Sequence, residues 1–180
     1  NNIELDDWCY IDKFCVFTSI SKIRIGKRVH IGIGTIVHAG LDSEITIDDN
    51  TGVAARCNLY SSSNAYARNK RMSGPMAKSN HVYTKYGKIK IEKDCFIGIG
   101  STILPNVKIG YASIFSAGAL IKKDLAEKSI FDEKGEFISA EDGKQLLEFI
   151  SNKEFYFEEV DNLGKITKKN HYIDEHIKDI

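Results

Sequence analysis

The chain has 180 residues, with 25 Lys and Arg against 25 Asp and Glu, so no global basic field argues for nucleic acid. Apolar residues make up 42% and charged ones 28%, ordinary values for a soluble globular chain with one domain and a small appendage. No apolar run reaches the roughly 18 residues that a membrane-spanning helix needs.

From the N-terminus the dominant signal is a period of six. Leu5, Ile11 and Phe17 are followed by Ile25, Ile31 and Val37, then by Ile47, Val53 and Leu59. The same step resumes at Ile91 and runs through Ile97, Ile103, Ile109, Phe115 and Ile121. Four places after each aliphatic stands a small residue, such as Cys9, Cys15, Val29, Thr35, Thr51, Cys57, Ser63, Cys95, Ser101, Ser113 or Ala119; Leu41 is the bulky exception. Six is a multiple of the strand period, so each hexad reads as a short strand and a turn, with one aliphatic and one small side chain inward. Three hexads close one coil of a triangular prism, and coils stack through parallel hydrogen bonds. The expected coils are 5–22, 25–42, 47–64, 91–108 and 109–126, with insertions only between coils.

The repeat absorbs two features that suggest other chemistry. The cysteines contain no C-x-x-C pair and fall in the small inward slots, so they read as packed thiols rather than ligands. The twin IGIG segments at 31–34 and 97–100 lack the third glycine and following helix of a dinucleotide loop, and occupy equivalent hexads.

Between the third and fourth coils lies an excursion, 65–90. It carries Arg68, Lys70, Arg71, Lys78, Lys85 and Lys88 with no acid before Lys88, and so favours phosphate or another anion. After the prism (1–126), residues 127–180 read as a helical tail. SAEDGKQLLEFISNKE (139–154) offers Ser139 as N-cap, Asp142 three places later and an apolar stripe at Leu146, Leu147, Phe149 and Ile150. A second amphipathic helix is expected over 165–180, carrying His171 and His176 without function.

These hexads, closed by GSTILPNVKIGYASIFSAGALIKKD (100–124), resemble the hexapeptide-repeat acyltransferases. Val29-His30-Ile31 and LYSSSNAY (59–66) resemble the sugar and nucleotide-sugar acetyltransferase subgroup. The resemblance implies an all-β core, a left-handed parallel β-helix of about five coils with one extruded loop. It also implies a homotrimer with acetyl-CoA in the groove between prisms, and no metal. Asn64 and Ala65 stand where the subgroup has two acids, no histidine lies near Asn64 as in galactoside-type relatives, and SIFDEKGEF (129–137) replaces the usual ending.

Acyl transfer to an amine or hydroxyl needs a held thioester, an acceptor lone pair and a route for a proton. His30 and His81 are the expected bases, and Asn64 could orient the acceptor or donate to an oxyanion. His38, second in its hexad, is expected to face outward. The resemblance places CoA along Gly98, Gly100, Ser116, Ala117 and Gly118, with Lys122 and Lys123 meeting its phosphates. Tyr66, Arg68, Lys70, Arg71 and Tyr83 are the expected contacts to a nucleotide-linked sugar. The absence of a second histidine favours N- over O-acetylation, in bacterial surface-glycan synthesis. A non-catalytic scaffold and a metal-dependent, carbonic-anhydrase-like prism are the competing readings. The lack of a visible signal peptide or disulfide spacing suggests the cytoplasm.

Overall fold

The computed structural model describes residues 2–63 and 84–130, together with the backbone of Asn64, Phe131 and strands Phe137–Ile138, Phe155–Val160 and Ile166–Tyr172. No helix occurs among the described residues. The chain divides into two compact units, Asn1–Ala140 and Glu141–Ile180.

The first unit is a three-sided parallel prism. Its first face stacks Ile3–Leu5, Lys22–Ile25, Glu44–Ile47, Lys88–Ile91 and Val107–Ile109. The second stacks Tyr10–Ile11, His30–Ile31, Gly52–Val53, Phe96–Ile97, Ile114–Phe115 and Ile130–Phe131. The third stacks Val16–Ser19, Ile36–Ala39, Asn58–Tyr60, Thr102–Ile103 and Leu120–Ile121. Every hexad-initial aliphatic pairs with its counterpart in the next coil. Leu5 meets Ile25, Ile25 meets Ile47, Ile47 meets Ile91, and Ile91 meets Ile109. The five expected coils are therefore present, and the stack continues: Ile109 bridges Leu125 and Phe115 pairs with Phe131.

Burial follows the same arithmetic. Ile25, Ile31, Val37, Ile47, Leu59, Ile91, Ile97, Ile103 and Ile109 are all fully buried. The small slots at the first two corners are inward as well, and their polar atoms have a shared task. Cys57 Sγ donates to Gly98 O at 3.2 Å, Cys95 Sγ to Gly110 O at 3.2 Å, Thr35 Oγ1 to Ala54 O at 3.1 Å and Ser101 Oγ to Ser116 O at 3.2 Å. Each satisfies a turn carbonyl of the neighbouring coil that the strands leave unpaired. All four cysteines are free thiols.

The third corner departs from the hexad step. Insertions there turn Leu41 outward, 53% exposed, and Ser43 and Ser61 fill the interior instead. The IGIG segments resolve into four different jobs. Ile31 and Ile97 point into the core. A Cβ on Gly32 or Gly98 would lie 2.5 Å from the next coil's backbone, so these glycines let coils approach. Ile33 and Ile99 face out. Gly34 and Gly100 turn the corner at φ 71° and 73°. Stacking imposes the same left-handed corner on residues that resist it, including Trp8, Phe14, Arg28 and Arg56.

The outer surface of the first face is an ion-pair ladder: Lys22–Glu4 at 2.9 Å, Lys88–Glu44 at 3.1 Å, Lys90–Asp48 at 2.9 Å and Lys108–Glu92 at 2.8 Å. The Lys108 ammonium holds the Glu92 carboxyl below its ordinary range. Exposed pairs of this kind add only about 0–1 kcal/mol each.

The excursion is rooted in a two-stranded antiparallel ladder, Ser62–Asn64 against Thr84–Tyr86. Lys88–Ile91 then re-enters the first face, so strand structure resumes at Thr84, inside the 65–90 span read from sequence as non-periodic. In the second unit, the helix expected over 165–180 is corrected: Ile166–Tyr172 is a strand, antiparallel to Phe155–Val160. FYFEEV is rich in aromatics, which favour strands, and its ladder partner takes the same form. The helix expected over 139–154 lies outside the described residues.

Ile47→Ala should lower unfolding free energy by about 2–5 kcal/mol in denaturant titration, because it opens a cavity in every-coil contact. Burial pushes the Cys95 thiol up to about 12. Alkylation at pH 8 should therefore leave Cys95 unmodified in the native protein and modify it once urea unfolds the chain.

Candidate active site

Two histidines of the second coil stand on different faces, each in a worked hydrogen-bonding environment. His30, on the second face, is 52% exposed, and its Nε2 lies 3.2 Å from Asp12 Oδ2. The same oxygen accepts the Ile33 N–H at 3.1 Å, so the carboxylate is fixed before it meets the ring. Tyr10 tilts over the imidazole with ring centroids 5.3 Å apart. His30 Nδ1 has no partner among the described residues, which leaves a nitrogen for a substrate. Asp12 orients the ring and would balance an imidazolium when one forms. The next coil places Gly52 beside His30, and a Cβ there would come within 3.1 Å of the Phe96 ring.

His38, on the third face, is half-buried and engaged at both nitrogens. Nδ1 lies 2.7 Å from Thr18 Oγ1 of the coil before, and Nε2 lies 3.1 Å from Ser62 Oγ of the coil after. Tyr60 tilts against the ring at 5.6 Å. The His38 carbonyl accepts both the N–H and the Oγ–H of buried Ser61, at 3.0 and 3.1 Å. Ser43 Oγ lies 2.7 Å from Ser61 Oγ and donates to Gly40 O at 2.7 Å. Gly40 makes the arrangement possible, since a Cβ there would overlap Ser62 Oγ.

Of the residues singled out by sequence, the structure gathers the CoA set along one end of the prism. Gly100 and Gly118 stack on the edge between the second and third faces, each at φ 73° with open space where a Cβ would stand. The Gly118 N–H donates to Ile99 O at 2.8 Å, which ties the two turns together. Ala117 is exposed beside them, and the Ser116 carbonyl takes the Ser101 hydroxyl. Gly98 faces the neighbouring coil's backbone, so its smallness serves stacking. Lys122 and Lys123 are exposed at the rim of a cavity of about 270 Å³, whose apolar lining includes Phe115, Ala119, Ile121 and Leu125.

Asn64 ends the outgoing strand of the excursion, with its backbone paired to Thr84. Tyr66, Arg68, Lys70, Arg71, His81 and Tyr83 lie outside the described residues. Sequence reasoning passed over Thr18, Ser62 and Asp12, and did not select His38. The signal was available for Thr18, His38 and Tyr60: all three occupy the same hexad place in successive coils, and in-register stacking makes them neighbours. Among the described residues no three His, Cys, Asp or Glu side chains converge on a metal position.

No protein-family model matches the chain. It is 32% identical over 126 residues to dTDP-4-amino-4,6-dideoxy-D-glucose acyltransferase of Escherichia coli, an alignment covering 69% of this chain and 64% of that protein. The prism superposes on a crystal structure of a point mutant of AntD, an N-acyltransferase from Bacillus cereus in complex with dTDP and coenzyme A. The TM-score is 0.70 at 27% identity, over 84% of this chain and 81% of that one. The chain is similar in sequence and in fold to hexapeptide-repeat acyltransferases. Galactoside O-acetyltransferase of Lactococcus lactis is 27% identical over 109 residues, 58% of this chain and 49% of that protein. The chain thus spans 64% and 49% of the length of these two curated relatives. The three-faced stack described above matches the left-handed parallel β-helix of such acyltransferases.

Gly40→Ala should push Ser62 away from His38 and destabilise the prism by about 1–3 kcal/mol, the usual cost of overpacking. The check is a denaturation curve together with a change in the His38 ring resonances; an unchanged ring environment would contradict the geometry.

Proposed function

We propose that the protein transfers an acyl group from acyl-CoA, acetyl-CoA first among them, to the amino group of a nucleotide-linked amino sugar. The observation that carries this reading is the similarity, over 69% of the chain, to a dTDP-amino-sugar acyltransferase and, over 84% of it, to AntD bound to dTDP and coenzyme A. The galactoside O-acetyltransferase similarity is lower, and the chain has Asn64 near the place where such relatives carry a histidine. An amine needs less help than a hydroxyl to attack a thioester, which favours N-acylation.

In this reading the pantetheine arm lies along the Gly100–Gly118 edge, where the missing side chains leave backbone accessible. Ser116 and Ala117 flank it, and Lys122 and Lys123 meet the phosphates. The amine attacks the thioester carbonyl, the C–N bond forms, and the tetrahedral intermediate collapses with loss of the CoA thiolate. His30, backed by Asp12, supplies the acid–base group nearest an open solvent face. Asn64 orients the acceptor, and His81, Tyr66, Arg68, Lys70, Arg71 and Tyr83 receive the sugar nucleotide and its diphosphate.

We place these clefts in a homotrimer. The first face is covered by ion pairs, whereas Tyr10, Val16, Ile33, Phe96, Ile99 and Leu120 expose apolar surface on the other two faces and their shared edge. Such one-sided apolar surface suits association with further copies. We place the enzyme in the cytoplasm, where acyl-CoA and sugar nucleotides occur, supplying surface-glycan synthesis.

The test is thiol release from acetyl-CoA against a panel of dTDP- and UDP-linked amino sugars. Transfer to at least one amino sugar, with no transfer to its hydroxyl analogue, is expected. Saturating acetyl-CoA should raise the melting temperature. His30→Ala should lower kcat by roughly 10²-fold, and Lys122→Ala with Lys123→Ala should raise KM for acetyl-CoA at nearly constant kcat. An unshifted melting temperature and no thiol release would refute the reading.

A further inference from the structure

Resting on the acyl-transfer reading above, we propose that Thr18, His38 and Ser62 form a proton relay, with the Ser62 hydroxyl taking the proton that the acceptor amine loses. The juxtaposition is specific. A half-buried imidazole could be satisfied by one protein group and water. Here it is spanned by two hydroxyls from the coils on either side, at 2.7 and 3.1 Å.

Both partners are amphoteric. A serine or threonine hydroxyl can donate or accept, and a neutral imidazole can carry its proton on either nitrogen. The chain Thr18–His38–Ser62 can therefore be polarised in either direction without moving a heavy atom. That is the property a relay requires, and a fixed donor–acceptor pair lacks it. The groups placed against the His38 ring are the hydroxyls of Thr18 and Ser62 and the ring of Tyr60, none of which is charged at neutral pH.

The relay is also held in place and well located. Ser61, itself fully buried, grips the His38 carbonyl with two hydrogen bonds, and Ser43 braces Ser61. Gly40 clears the space that Ser62 occupies. Ser62 opens the strand that ends at Asn64, where the excursion departs, and pairs with Tyr86 where it returns. The outer end of the relay thus stands at the root of the segment that the proposed function assigns to the acceptor.

The step balances as follows. As the amine nitrogen bonds to the thioester carbon, its proton passes to Ser62 Oγ, and the serine's own proton passes to His38 Nε2. His38 becomes imidazolium, with Nδ1–H donating to Thr18 Oγ1. Loss of the thiolate completes the amide, and the departing sulfur takes a proton from solvent. The His38 proton then leaves through the exposed Thr18 side.

The experiment measures pH profiles of kcat/KM for the amino sugar, at saturating acetyl-CoA, in the full-length wild type and in His38→Gln, His38→Ala, Ser62→Ala and Ser62→Thr. Glutamine can keep hydrogen bonds to both hydroxyls but cannot shuttle a proton, so it separates relay from architecture. His38→Gln and Ser62→Ala should each lower kcat by about 10²-fold, with melting temperature and acetyl-CoA binding unchanged. The shape of the wild-type pH profile should change in His38→Gln. Ser62→Thr, which restores a hydroxyl, should recover most of the rate. If His38→Gln keeps the wild-type rate and profile, the relay is overturned while the enzyme reading stands. Intact mass after incubation with acetyl-CoA alone gives a second readout: a stable acetyl ester on Ser62 would overturn the relay in favour of a covalent nucleophile. A wild type that acylates no amino sugar overturns both proposals.

Discussion

Everything in the prism depends on one close approach, that of each coil's backbone to the next along all three faces. Parallel strands bond at about 4.8 Å spacing, which leaves room inside for one branched aliphatic and one small side chain per side. The strands alone cannot satisfy the turns between them. The small slots do so, and it matters little whether the polar atom is the sulfur of Cys57, the hydroxyl of Thr35 or that of Ser101. Gly32 and Gly98 mark where even a methyl group would force coils apart.

The same approach makes the outer surface a set of columns. Whatever stands at one hexad place in one coil touches what stands there in the next. On the first face the column Lys22, Glu44, Lys88 alternates in sign, while Lys90 and Lys108, neighbours in a second column, pair sideways with Asp48 and Glu92. On the third face one column reads Thr18, His38, Tyr60, which converts a repeat into a hydrogen-bonded site without any special loop. On the shared edge of the second and third faces the column ends in Gly100 and Gly118, where backbone becomes reachable. Chemistry is thus distributed by column, and each candidate role follows from what the neighbouring coils supply.

This also explains what could be read from the sequence. Period six reports which side chains go in, so the coils, the register, the core and the structural role of the cysteines were legible from Leu5 to Ile121. The third corner was not, because Leu41 sits where insertions break the step and Ser43 takes its inward place. Outward residues leave no periodic trace, so His38 looked like a surface residue until stacking set Thr18 and Ser62 against it. The tail failed for a different reason. The stretch 165–180 can be drawn as an amphipathic helix or as an alternating strand, and only a partner such as Phe155–Val160 decides between them.

The placement of the excursion has a further consequence. It leaves between Asn64 and Thr84, yet Ile47 still pairs with Ile91 as if nothing intervened. The register of the column is thus set on either side of that interval and not by its length. In the proposed reading, donor handling lies in the stacked coils and is bound to stability, whereas acceptor choice is not. If the proposed roles hold, descendants of such a chain could change acceptor by drift in one segment while keeping the stacked coils that hold the donor.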